Sequence, residues 1–208
     1  MTAALVAGLL AGYGIALPVG AVATYLVALT ARTSLQVGSA AALGVATADG
    51  LYALAAVIGG SALTTLIEPI ARPLSALSAL VLLAVAVIGA CRALRESGGG
   101  PAKAAGPMGT ARAYFTLLGI TILNPVTIVY FAALVVGNKS AMGFTAIPES
   151  ALFVFAAFCA SASWQLLIAS CGAALGRLLT GRRGRLATGL ASSAIVGGLA
   201  IRLLVSLV

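Results

Sequence analysis

Between residues 2 and 29 the chain holds no Asp, Glu, Lys or Arg, and most of its positions are Ala, Val, Leu or Gly. A helix of roughly 20 residues crosses the roughly 30 Å hydrocarbon core of a bilayer, so this run alone is long enough to span it. Five further apolar stretches follow at about residues 36–60, 70–91, 113–136, 148–178 and 185–208, each bounded by charges or Gly/Pro clusters. Only 8% of the residues are charged and 62% are hydrophobic, whereas a soluble domain carries about 25% charge. A soluble enzyme, a soluble binding module and a disordered chain are excluded together. The first run has no basic residues ahead of it and outlasts a signal-peptide core, so it reads as a retained helix.

Charge placement orients the spans. Arg32 follows the first; Arg92, Arg95, Lys103 and Arg112 lie in or beside the third connection; Arg177, Arg182, Arg183 and Arg185 surround the fifth. These nine of the 12 basic residues fall on one side, which the positive-inside rule makes cytoplasmic, with both termini outside. The third connection, residues 96–112, is rich in Gly, Ala and Pro and reads as a mobile loop. The net charge of +8 is accounted for by topology and does not call for nucleic acid.

An internal repeat organises the chain. Ile15-Ala16-Leu17-Pro18-Val19 in the first span resembles Ile122-Leu123-Asn124-Pro125-Val126 in the fourth, with the two prolines 107 residues apart. Three spans per half is an odd number, so the second half enters the membrane from the opposite side. The expected fold is an all-α integral membrane protein of six transmembrane helices in two inverted three-helix repeats. They form a single domain, with repeat one at about 1–95 and repeat two at about 113–208. Proline-interrupted helices at matched places in inverted halves point to a transporter whose site lies at the repeat interface.

Pro18 sits among Gly12, Gly14 and Gly20, so the first span is expected to bend or break there. Asn124 precedes Pro125, and its amide can satisfy freed backbone groups or contact a ligand. Half-helix ends suit a carboxylate; the alternative is a pair of packing kinks. Asp49 is the one acid deep inside a span. An ionised carboxylate there is costly and calls for a cavity or a partner, and no Lys or Arg lies at comparable depth. Its uses are holding a cation, such as a substrate ammonium, or carrying a proton; the alternative is a protonated acid bonded to neighbouring helices. Tyr52, three residues on, shares its face. Gln165, beside Trp164 and near Ser161 and Ser163 in the fifth span, either contacts substrate or bonds another helix. The remaining tyrosines read as packing or interface residues, and Gly8 and Gly12 as a helix-contact pair that a homodimer could use.

The chain has no histidine, and its three cysteines form neither a disulfide framework nor a zinc pattern. No cofactor or metal site is expected, and no nucleotide-binding loop.

In these residues the chain resembles the LysE-type amino-acid exporter superfamily, the lysine and homoserine/threonine exporters. Ala42-Leu43-Gly44 with Asp49 and Tyr52 is similar to the family's glycine, acid and tyrosine series. Leu123-Asn124-Pro125 followed by Val129-Tyr130-Phe131 resembles its Asn-Pro motif and aromatic pair. Leu17-Pro18-Val19-Gly20 stands where the family usually shows Pro-Gly-Pro and lacks the second proline. The resemblance implies a secondary carrier of the inner membrane that exports amino acids against a proton or ion gradient. It places the substrate carboxylate near the breaks at Pro18 and Pro125 and the ammonium near Asp49. Membrane lipid is the surrounding partner. An exporter of another small solute or of metal ions from the same superfamily, or a small-solute channel, is the competing class.

Overall fold

A computed structural model describes residues 1–18, 20–97, 108–124, 127, 130, 147–178 and 182–205. Among them the chain forms helices and no strands: α1 (Thr2–Ala16), α2 (Ala21–Arg32), α3 (Leu35–Ser97), α4 (Thr110–Ile122), α5 (Ile147–Leu178) and α6 (Arg182–Val205). Helices satisfy their own backbone groups, which lipid cannot do. Leu35–Gly59 within α3 and Ile147–Arg177 in α5 are each long and apolar enough to cross a bilayer. The pair α1 and α2 makes a third span when taken as one broken helix.

That break falls at Pro18, as the sequence leads one to expect. Proline offers no N–H to the carbonyl of Gly14, so α1 ends at Ala16, capped by Leu17, whose own N–H still reaches the Tyr13 carbonyl at 2.9 Å. α2 starts 75° off that axis. Its N-cap Gly20 is extended, and Thr24 bonds the Gly20 carbonyl with both its N–H and its hydroxyl at 3.0 Å. α4 ends at the corresponding place in the second half. The Thr121 carbonyl would look to Pro125 for an N–H and takes the Asn124 N–H at 3.0 Å instead, tightening the last turn. Pro125 itself and most of the expected fourth span beyond it lie outside the described residues, as does most of the expected loop at 96–112.

One expectation fails. The connection anticipated between residues 60 and 70 is helical, and α3 is assigned as a single 63-residue element with Pro69 and Pro73 inside it. Residues 61–68 contain no glycine or proline, so nothing there stops a helix, and proline bends a long helix as readily as it ends one. The element is not straight. Val45 and Leu82 would lie about 55 Å apart on a straight helix, yet both belong to one buried cluster with Leu26, Leu117, Ile168 and Val196.

Close contacts fix the helix directions. A Cβ on Gly8 or Gly12 would fall on the carbonyls of Phe153 and Ala157, and one on Gly176 would fall on that of Ala31. Contacts thus advance together along the chain, and α1 and α2 run parallel to α5. Tyr114 meets Gly44 and Thr47, and Ile122 meets Tyr52, so α4 runs parallel to the first limb of α3. Gly197 lies beside Ala86 and Ser193 beside Gly89, so α6 is antiparallel to the second limb. Small residues let the backbones approach where lipid supplies no hydrophobic drive between helices. Gly8 and Gly12 are buried in this packing, so the homodimer surface anticipated from that pair is taken within the chain. Outward faces carry Leu10, Ile58, Phe115, Phe155 and Ile195, all exposed and suited to lipid.

Candidate functional site

Asp49 is 2% exposed and lies where the first limb of α3 crosses α5. The Ser161 hydroxyl, fully buried, donates to Asp49 Oδ2 at 2.6 Å. Next to this pair, a Cβ on Gly50 would touch the Phe158 ring, which holds the two helices at close range. A salt bridge between the Met1 ammonium and Glu149 at 3.0 Å lies elsewhere. The acid is held by the Ser161 hydroxyl, and no cation among the described residues is paired with it.

Tyr52, one turn along α3, donates its hydroxyl to the Ile122 carbonyl at the end of α4. That carbonyl is one of the acceptors a helix leaves unserved at its C-terminus. Tyr130, beyond the α4 break, donates to the Ala11 carbonyl of α1 at 3.0 Å and stands against Gly14. Tyr52 thus ties the end of α4 to α3 one turn from Asp49, and Tyr130 reaches the last turns of α1.

Three buried polar atoms have no hydrogen-bond partner among the described residues: Gln165 Oε1, Trp164 Nε1 and Thr121 Oγ1. Gln165 follows Ser161 by one turn of α5, and Thr121 is in the final turn of α4. Leaving such an atom unserved costs about 1–3 kcal/mol, and each is a place for water or a polar ligand. Other hydroxyls inside the spans, those of Thr30, Thr47 and Ser170, are spent on carbonyls four residues earlier at 2.8 Å.

Of the residues singled out in the sequence, Asp49, Tyr52 and the α4 break converge, with Gln165 one turn beyond Ser161. Asn124 is half-buried just past α4. Pro18 is exposed at the first break, and Gly20 has open space beside it, with nothing within 4 Å of where a Cβ would be. The hydrogen bonds among the described residues do not link either to Asp49. Ser161, noted beside Gln165, and Tyr130, noted in the aromatic pair, were given no role at the site by the sequence alone. The signal for Ser161 was there: Ser161, Ser163 and Gln165 are an isolated polar group inside an apolar span.

Among the described residues the site is a buried acid beside the end of a broken helix in a bent helical bundle, an arrangement that suits a small-solute membrane transporter. The chain is a member of the LysE type translocator family, whose model matches residues 14–207. It is thus a membrane exporter of small solutes. Comparison with curated proteins and with solved structures finds no match.

Proposed function

We propose that the chain exports amino acids across the inner membrane by antiport with protons, as six spans in two inverted repeats. The observation that carries this reading is Asp49, a carboxylate buried among helices and held by a single serine at 2.6 Å. In its ionised form it receives a substrate ammonium, and in its protonated form it needs no partner cation. One carboxylate that takes either cation but not both couples their movements in opposite directions. The Gln165 carbonyl oxygen is a second acceptor for the ammonium. The substrate carboxylate is assigned to the broken helices, near Pro18, Gly20, Asn124 and Pro125, where backbone N–H groups lose their helical partners.

Helix pairing supports the inverted repeat. Exchange of the halves turns the first span into the fourth and the second into the fifth. The pair α1 and α5 then becomes α4 and the first limb of α3, and both pairs are parallel. A tyrosine of each first helix also meets a hydroxyl on the opposite half's second helix, Tyr13 with Ser163 at 2.9 Å and Tyr114 with Thr47 at 3.0 Å. With Arg32 and Arg177 on the cytoplasmic side, both termini are outside. A single cysteine at Thr2, in a background without Cys91, Cys159 and Cys171, is then expected to react with an impermeant maleimide in intact cells. One at Gly184 should react only after permeabilisation, and the reverse pattern would invert the assignment.

Among exporters of this family a metal-ion substrate is disfavoured, since the chain has no histidine and one deep acid. That one acid also favours a neutral or small polar amino acid over lysine or arginine, which bring a second cation. Counterflow in proteoliposomes with labelled amino acids tests the substrate class. Saturable exchange of at least one small neutral amino acid is expected. Equal, non-saturable leak of all of them would mean a channel, and no amino-acid flux at all would mean a different solute.

A further inference from the structure

An apolar cavity of about 330 Å³ opens between α2, α5 and α6, and none of the residues around Asp49 lines it. α2 lines it with Thr24, Val27 and Ala28, and α6 with Ala187, Ala191 and Ile195. The Thr24 hydroxyl is turned to the Gly20 carbonyl at 3.0 Å, so this wall too is hydrocarbon in character. From Ala187 to Ile195 the α6 wall extends about 12 Å along the helix. The volume falls within the roughly 300–1,000 Å³ of small-molecule pockets.

The ends of α2 and α5 and the start of α6, each of which carries basic residues, lie at one end of this cavity. Ala31 packs on Gly176, so Arg32 and Arg177, the next residue of each helix, stand at one level. Arg177 is exposed and Arg32 half-buried. Leu175, two residues before Arg177, belongs to the cavity lining. Only residues 179–181 separate α5 from α6, which therefore begins at the same level with Arg182, Arg183 and Arg185 in its first turn. Of the four acids in the chain, Asp49 is buried within the bundle, Glu68 falls between the two limbs of α3, and Glu149 lies at the opposite end of α5. Glu96, at the end of α3, is the one acid assigned to the same side.

We infer that this cavity is a site for one anionic phospholipid, with an acyl chain between α2 and α6 and the phosphate among the arginines. Hydrocarbon below and clustered positive charge above match the two parts of such a lipid. A second copy of the chain is the wrong occupant, because it would bring its own arginines to the same depth and set like charges together. A lipid held here braces α2, the half of the broken first span that starts at Gly20. The inference does not depend on the transported solute.

The test is native mass spectrometry of the protein released from micelles holding equal amounts of phosphatidylglycerol and phosphatidylcholine. One phosphatidylglycerol is expected to be retained, favoured about fivefold for each arginine that reaches the phosphate. Arg32→Gln with Arg177→Gln should lower the preference by up to about 25-fold and leave some retention of both lipids. Ala191→Phe, which fills the cavity from an exposed position, should lower retention of both. If that variant does not fold, Ala187→Phe, likewise exposed and one turn away, gives the same reading. Equal retention of the two lipids by the unaltered protein, or a preference that the arginine changes leave undiminished, would overturn the inference. So would displacement of the lipid by millimolar glycerol phosphate, which would mean an anion site without a tail. Loss of a dimer in Ala191→Phe would show a second copy in the cavity and overturn it as well.

Discussion

Asp49→Asn is expected to abolish proton-driven uptake into inside-out vesicles while the protein remains folded in the membrane. The amide keeps the size of the carboxyl group and an oxygen that can accept the Ser161 hydroxyl, so the contact between α3 and α5 survives. What it loses is the charge. An amide can neither neutralise a substrate ammonium nor carry a proton, and both roles fall to Asp49 in the proposed exchange. Asp49→Glu should retain partial activity with a displaced pH profile, because the carboxylate returns but is set one methylene away from Ser161. Size-exclusion profiles of the variants separate a chemical loss from a folding loss. Concentrative uptake by Asp49→Asn at the wild-type rate would leave Asp49 a structural residue.

Gly12→Val is expected to prevent stable folding. A Cβ on Gly12 would collide with the Ala157 carbonyl and would lie 2.8 Å from the Ala160 Cβ and 2.9 Å from the Ala157 Cα. Two of these three are backbone atoms in the middle of α5 and cannot rotate aside. The helices must separate, which undoes the neighbouring contacts of Gly8 with Phe153 and Ala156. Overpacking of this kind costs about 1–3 kcal/mol and more where the backbone cannot shift. Gly119, which the repeat aligns with Gly12, is the control: nothing lies within 4 Å of its hypothetical Cβ. Gly119→Ala should keep or raise the melting temperature in detergent, since alanine favours a helix interior by about 1 kcal/mol. A Gly12→Val protein that melts with the wild type would mean that α1 does not pack on α5 as described.

The membrane class and the break at Pro18 were legible in the sequence because each has a local cause. Uncharged runs of span length have one stable solvent, and proline lacks an N–H wherever it sits. Thr121, which turns to Asn124 in place of Pro125, shows the same cause in the second half. The continuity of α3 was not legible. Charge and a pair of prolines read as a connection, but residues 61–68 have no residue that ends a helix, and Pro69 and Pro73 are carried inside it. In the site, Asp49 stood out as a lone charge in lipid, and Tyr52 by its spacing from it. Ser161 did not, because serines inside membrane helices usually bond their own backbone, as Ser170 does. Only the crossing of α3 and α5 distinguishes the two. Tyr130 escaped for a similar reason: its partner, the Ala11 carbonyl, is 119 positions away and leaves no local trace.

Exchange of a substrate cation for a proton at one carboxylate makes a direct demand on binding. Substrate binding to the purified protein in weak buffer should release protons, and its affinity should weaken on acidification, because a protonated Asp49 offers the ammonium no counter-charge. Calorimetry in two buffers of different ionisation enthalpy counts those protons. The expected result is a net release for the wild type that disappears in Asp49→Asn. Binding by the wild type with no proton released at any pH, at an affinity Asp49→Asn shares, would contradict antiport through this residue.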